Sequence, residues 1–179
     1  MTFCEFSAIL RRMRYVKLMR VDHWVKNLLI LPGVFFALAT LEEKNRVGGI
    51  HLFVLGIFGA CLASSANYVM NEYVDRDSDA FHPKKKLRPA ALNRVYFGPV
   101  SFLYLSLVVA SLLISSILGP LFFGTMLLYL FMAIIYNIKP IRLKDIRYLD
   151  VITESANNPI RLTFGWTLVQ DRTLPPHLY

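Results

Sequence analysis

The chain has 179 residues, 55% of them apolar, and its mean hydropathy of +0.46 lies above what a soluble domain of this size carries, so it reads as a membrane protein. A formal net charge of +8 raises nucleic-acid binding, but the basic residues alternate with long apolar runs instead of lining one polar face, which argues against a nucleic-acid partner. Two cysteines, Cys4 and Cys61, support neither a disulfide framework nor a thiolate metal site.

The N-terminus lacks a short apolar core followed by a small-residue cleavage site, so no secretory signal is expected and the first span does the targeting. Phe6, Ile9, Leu10, Met13 and Val16 recur at helical spacing opposite Arg11, Arg12 and Arg14. That pattern suits a helix lying in the headgroup region or, equally, a basic flank that orients the first span. Residues 1–23 are therefore set apart as a basic, interfacial segment, 24–168 form a single transmembrane domain, and 169–179 form a proline-containing tail. Spans are expected at about 24–41, 50–70, 95–118, 121–138 and 148–168. Pro32 is expected to kink the first, Gly56, Gly59, Ala60, Ala63 and Ala66 give the second a small-residue face for close packing, and Gly119-Pro120 makes a tight turn.

The expected fold class is all-α, a polytopic transmembrane helical bundle of about five spans. The bilayer core admits only helices or closed barrels, and these unbroken apolar runs exclude a barrel. Of the 20 Lys and Arg, six lie in the N-terminal flank, six in the loop after the second span and four in the loop after the fourth. The positive-inside rule then places the N-terminus and both basic loops in the cytoplasm.

The loop after the second span opens on NEYVDRDSDAFHPKKKLRP, Asn71 to Pro89. Asn71, Asp75 and Asp79 recur every fourth residue, so a helix continuing through them stacks their oxygens along one face, close enough to share a cation. Such hard oxygen ligands suit Mg²⁺, which binds through one or two carboxylates plus substrate phosphates. Lys84, Lys85, Lys86 and Arg88 supply the positive charge that a diphosphate needs. The bland alternative is a loop of solvated mixed charges. A calcium loop starting at Asp75 fails, because Ala80 stands where glycine is required and Lys86 where the bidentate glutamate belongs.

The fifth span carries Asp150, Glu154, Asn157, Asn158 and Arg161, which must face the bundle interior, a water-filled cavity or one another. They suit a substrate pocket or an internal carboxylate–Arg161 pair that holds the bundle together. Lys139, Arg142, Lys144 and Arg147 fit orientation signals, and Trp24, Lys26 and Asn27 fit interface anchors. His23, His51 and His177 are isolated, whereas His82, between the acids and the lysines, reads as structural or phosphate-facing.

These residues together resemble the UbiA superfamily of intramembrane prenyltransferases. Asn71-Glu72-Tyr-Val-Asp75-Arg-Asp-Ser-Asp79 is similar to its N-D-x-x-D-x-x-x-D motif, with Glu72 in place of the usual aspartate. His82-Pro83, Lys85 and Arg88-Pro89 are similar to its H-P-x-K-R-x-R-P continuation. Arg20, Trp24, Lys26 and Asn27 resemble the R-x-x-x-W-x-K-N opening of the branch that includes decaprenyl-phosphate phosphoribosyltransferase, and Tyr136, Leu143-Lys144, Asp150 and Arg161 resemble the segment joining the fourth and fifth spans. The resemblance covers about residues 15–168. It implies a transferase in which Asn71, Asp75 and Asp79 hold Mg²⁺, Lys85, Arg88 and Lys144 bind diphosphate, and Lys26, Asn27, Asp150 and Arg161 face substrate. The donor would be a lipid-linked prenyl or a phosphoribosyl diphosphate, the acceptor an aromatic compound or a polyprenyl phosphate, and the setting the bacterial inner membrane.

Family members have about nine spans and a second acidic motif after the sixth. The 179 residues are therefore expected to hold the first half of an active site, with a partner chain as one source of the remaining spans. The rival expectations are a non-catalytic membrane protein that keeps the motif and, from a third class, a small transporter using the charges of the fifth span as its pathway.

Overall fold

The computed structural model describes residues 14–40, 49–92 and 95–170, and among these every regular element is helical. Five long helices form the bundle: α1 (Ile30–Ala39), α2 (Ile50–Val74), α3 (Phe97–Leu118), α4 (Pro120–Asn137) and α5 (Leu149–Thr167). The last three lie within two residues of the expected spans. The connection at 41–48, residues 1–13 and the tail from 171 onward fall outside the described residues.

The first span departs from expectation. It is α-helical over 14–18, breaks at 19–20 where Arg20 is left-handed at φ 45°, winds as a 3₁₀ helix over Val21–Leu29 and is α-helical again from Ile30, so one apolar stretch of 26 residues, Arg14–Ala39, contains the boundary expected at 23. Pro32 lacks the N–H that would bond the Leu28 carbonyl, which favours a change of winding just before it. Arg14–Ala39, α2, α3 and α4 are each long and apolar enough to cross a membrane. In α5 the charges of Asp150, Glu154 and Arg161 interrupt an otherwise similar 19-residue helix.

Packing is driven from α2, whose small residues Gly56, Gly59, Ala60, Ala63, Ser64, Ser65 and Ala66 lie along its buried faces. Ala60 and Ala63 meet Phe122, Met126 and Tyr129 of α4 and Ile160 and Phe164 of α5 in one cluster. Leu62, Ala66 and Val69 meet Leu18, Val100 and Leu107 in another. Large apolar side chains point outward instead, with Phe35, Phe102, Leu113, Ile117 and Phe131 all exposed. Small residues on the buried faces of α2, with large side chains of its neighbours packed against them and other bulky ones exposed, are the pattern of helices that pack by close approach with lipid as the outer solvent.

The closest approach joins α1 to α5. A Cβ on Gly33 would collide with the Leu162 carbonyl, and one on Gly165 would collide with the Ile30 carbonyl and lie 2.7 Å from the Val34 nitrogen. Backbone atoms cannot give way as side-chain ends can. Gly165→Ala should therefore destabilise the bundle by about 1–3 kcal/mol or more, read as a lower melting temperature in detergent. Gly124→Ala, where an added Cβ meets nothing within 4 Å, should leave the melting temperature equal or raised.

Candidate active site

The helix of α2 does not stop cleanly at its acidic end. The Asp75 N–H donates to Asn71 O at 3.0 Å and the Asp79 N–H to Asp75 O at 2.8 Å, so a four-residue register persists across the break at Asp75 into the short helix Arg76–Asp79. The side chains nevertheless separate into two groups. Asn71 Oδ1 and Asp75 Oδ1 both accept from Lys144 Nζ, at 2.9 and 2.6 Å, and Arg142 Nη2 donates to the same Asp75 oxygen at 3.0 Å. Asp79 shares no partner with them, since its carboxylate takes Arg88 Nη1 at 2.6 Å and lies 3.9 Å from Lys85 Nζ.

The basic partners of Asp75 come from the loop between α4 and α5. Arg142 sits at φ 36°, in the left-handed region, just before the turn Leu143–Asp145. That conformation costs a non-glycine residue about 1–2 kcal/mol, which the Arg142 hydrogen bond to Asp75 offsets, while Nε lies 2.7 Å from Asp145 Oδ2 as an ion pair without hydrogen-bond alignment. Lys144 is further held by the Asn137 amide oxygen at 3.1 Å, while the Asn137 Nδ2 group donates to Asn67 Oδ1 at 2.9 Å. Burial pushes the pKa of the Lys144 ammonium below its ordinary value, although Asp75 favours the charged form. His82 is structural: its Nδ1 accepts the backbone N–H groups of Lys84 and Lys85 at 3.2 and 3.3 Å and closes the turn that carries the lysines.

Behind this charged mouth lies a cavity of about 500 Å³ between the first span, α2, α4 and α5. Lys26, Asn67, Tyr68, Asn71, Tyr129, Tyr136, Glu154, Asn157, Asn158 and Arg161 supply its polar wall, and Leu29, Met132, Ala133 and Val151 its apolar one. Asn71 belongs to both regions, so the cavity adjoins the acid-and-lysine cluster. Arg161, only 8% exposed, donates from Nε to Asn27 Oδ1 at 3.2 Å and from Nη1 to Asn158 Oδ1 at 3.4 Å, with its guanidinium carbon 5.9 Å from the Tyr129 ring centroid. Asn27 is buried behind it and is fixed in turn by Cys61 and Ser64.

Lys26 and Arg161 thus line the cavity, Asn27 orients Arg161, and Asp150 stands back, accepting the Tyr136 hydroxyl at 2.6 Å. The structural alternative of a carboxylate–Arg161 pair is corrected: among the described residues no carboxylate lies within ion-pair distance of it. The arginine reaches across the bundle to Asn27 of the first span instead.

Sequence reasoning missed Asn137, which reads as the end of an apolar run, and undervalued Arg142, which counts among orientation charges until its contact with Asp75 is seen. It also missed the partner of Glu72. That residue, 3% exposed, pairs through Oε2 with Arg20 Nε at 3.6 Å and leaves Oε1 without a hydrogen bond.

The donor set fits a hard divalent cation in part. Asn71 and Asp75 direct two oxygens at one cationic point, as Mg²⁺ requires when phosphates complete its shell. Among the described residues no three of His, Cys, Asp and Glu gather closely enough to hold an ion unaided.

The model described as the UbiA prenyltransferase family matches residues 29–179. A decaprenyl-phosphate phosphoribosyltransferase from Mycolicibacterium smegmatis is 32% identical over 76 residues, covering 42% of this chain and 24% of that protein. A 4-hydroxybenzoate octaprenyltransferase from Histophilus somni is 30% identical over 122 residues, covering 68% of this chain and 42% of that protein. Among solved structures, a UbiA homolog from Archaeoglobus fulgidus bound to DMAPP and Mg²⁺ superposes with a TM-score of 0.76 at 19% identity, covering 93% of this chain and 57% of that one. The chain therefore spans less than half the length of these two curated relatives.

Glu72 is buried while Arg20 is partly exposed and only in ion-pair contact, so Arg20→Met should cost on the order of 1–2 kcal/mol in thermal unfolding. The double variant Arg20→Met with Glu72→Gln should recover part of that loss.

Proposed function

The chain belongs to the UbiA prenyltransferase family, and from that premise we propose that its charged mouth is the donor site of a transferase that releases diphosphate. It is an integral membrane protein with an all-helical bundle. The observation that carries the reading is the convergence of Asn71, Asp75, Lys144 and Arg142 at the opening of a bundle cavity walled by α2, α4 and α5.

Asn71 and Asp75 would hold Mg²⁺, with Asp79 alongside once its carboxylate leaves Arg88, and the ion when bound supplies neutralisation of the charge that builds on a leaving diphosphate. Lys85, Arg88, Lys144 and Arg142 bind the diphosphate oxygens, where fixed cations lower the barrier because their charge is already in place as the bond to carbon breaks. The cavity behind the mouth receives the carbon skeleton. Its apolar wall excludes water from the electron-poor carbon, and Lys26 and Arg161, neither paired with a carboxylate among the described residues, orient the anionic end of an acceptor. An anionic acceptor is common to the two relatives' chemistries, a polyprenyl phosphate in one and an aromatic carboxylate in the other, and the Arg20-x-x-x-Trp24-x-Lys26-Asn27 opening favours the first.

The donor is a prenyl or phosphoribosyl diphosphate drawn from the cytoplasmic face of a bacterial inner membrane, an orientation supported by the basic flank and the two basic loops. The second acidic motif that the family resemblance implies would come from further spans, on the same polypeptide or on a partner chain. A bundle lacking those spans would be a non-catalytic half-site, which is the alternative reading.

Asp75→Ala in the full-length protein, reconstituted in lipid, should abolish Mg²⁺-dependent release of diphosphate from the donor while the protein still elutes as a folded species. Turnover at the wild-type rate in that variant would contradict the assignment.

A further inference from the structure

Lys144 Nζ is 10% exposed with its side chain, and three oxygens surround it: Asp75 Oδ1 at 2.6 Å, Asn71 Oδ1 at 2.9 Å and Asn137 Oδ1 at 3.1 Å. They come from the end of α2, the turn beyond it and the end of α4. That is the kind of oxygen set that a hard cation collects, and here an ammonium collects it. Asn137 is 0% exposed, and its amide is fixed in orientation because Nδ2 donates to both Asn67 Oδ1 and Ala133 O at 2.9 Å. Its oxygen is therefore held toward Lys144.

Two of the three oxygens are those assigned above to the divalent ion. An ammonium and a divalent cation cannot share one point, since like charges a few ångströms apart in a half-buried site repel strongly. We propose that Lys144 is a built-in cation seated in the Asn71–Asp75 site, that a divalent ion binds there only by displacing it, and that Asn137 is the positioning residue that keeps it seated. This rests on the reading of Asn71 and Asp75 as donors to a divalent ion and adds an order of events to it. The displaced ammonium becomes free for an anion, so the ion and the diphosphate oxygens load together.

The loop that carries Lys144 is strained at both ends. Arg142 at φ 36° and Tyr148 at φ 71° both hold positive-φ conformations that side chains rarely adopt, and they bracket Lys144 within seven residues. The Arg142 bond to Asp75 helps hold the first of them in place. A divalent ion that takes Asp75 competes with that bond and with the seat of Lys144 together, so one event loosens both contacts of the loop to the end of α2. The apparent affinity for the ion is then reduced by the small fraction of molecules in which the ammonium has already left.

The test is Mn²⁺ binding to the full-length protein in nanodiscs with no diphosphate present, read from the free-ion signal in electron paramagnetic resonance. Lys144→Met should bind Mn²⁺ about tenfold more tightly than wild type, the scale of one charge-assisted hydrogen bond no longer competing. Asn137→Ala, which removes one oxygen of the seat and no proposed ligand of the ion, should shift binding in the same direction and decides alone if Lys144→Met does not fold. Equal or weaker binding in these variants, with binding still lost in Asp75→Asn, would overturn the seat while leaving the Asp75 assignment intact. Wild-type Mn²⁺ binding that survives Asp75→Asn would overturn both.

Discussion

The ion pair between Asp75 and Lys144 is the contact on which the polar end of the bundle depends. It joins the acidic end of α2 to the loop between α4 and α5, 69 positions away in sequence, and both side chains are nearly withdrawn from solvent. Burial makes each charge costly alone, so neither can be present without the other or a substitute cation. Asn137 and Arg142 are arranged around this requirement, one holding the ammonium and the other sharing the carboxylate. The pair is thus better understood as a device for placing charge than as a source of stability, because the desolvation of two ions absorbs most of what their attraction returns.

The same constraint explains why the bundle is built around α2. A helix that ends in Asn71, Glu72, Asp75 and Asp79 must find cations for its acids, and the close packing allowed by Gly56, Gly59, Ala60 and Ala63 brings its neighbours near enough to supply them. Arg20 serves Glu72 from the first span, Arg88 serves Asp79 from the following loop, and Lys144 and Arg142 serve Asp75 from beyond α4. Deeper in the bundle the logic is reversed. Arg161 is buried among amides and the Tyr129 ring with, among the described residues, no carboxylate in ion-pair contact, which under the proposed function leaves its charge for an anion entering the cavity. Acids paired with cations at the mouth and an arginine held by amides within are what a site needs if it is to exchange its own counter-ions for those of a substrate.

What the sequence made legible follows from distance along the chain. Apolar runs and Gly119-Pro120 placed α3, α4 and α5 closely, and the four-residue spacing of Asn71, Asp75 and Asp79 anticipated a helical register that survives the break at Asp75. Local spacing could not say which cation each acid would meet. Asp79 and Arg88, nine residues apart, are readable as neighbours, whereas Lys144 reaches Asn71 and Asp75 only because α4 returns the chain beside α2. Arg161 was open to a partner four or more residues away on its own helix and found Asn27, 134 positions earlier. The start of the first span was misjudged for a related reason: Arg14, Lys17 and Arg20 look like a flank, yet residue 18 is fully buried against α2 and α3, which draws the preceding turn into the bundle.

The central claim is that Asn71 and Asp75, with the basic side chains around them, receive a divalent ion and a diphosphate. Its most direct test is anomalous diffraction from crystals of the full-length protein grown with Mn²⁺ and an uncleavable diphosphate donor. The account predicts an anomalous peak about 2.1 Å from the Asn71 and Asp75 oxygens, as small divalent ions require, with diphosphate density within hydrogen-bond reach of Lys85, Arg88 or Lys144. A peak remote from Asp75, with Lys144 still bonded to that carboxylate, would contradict it.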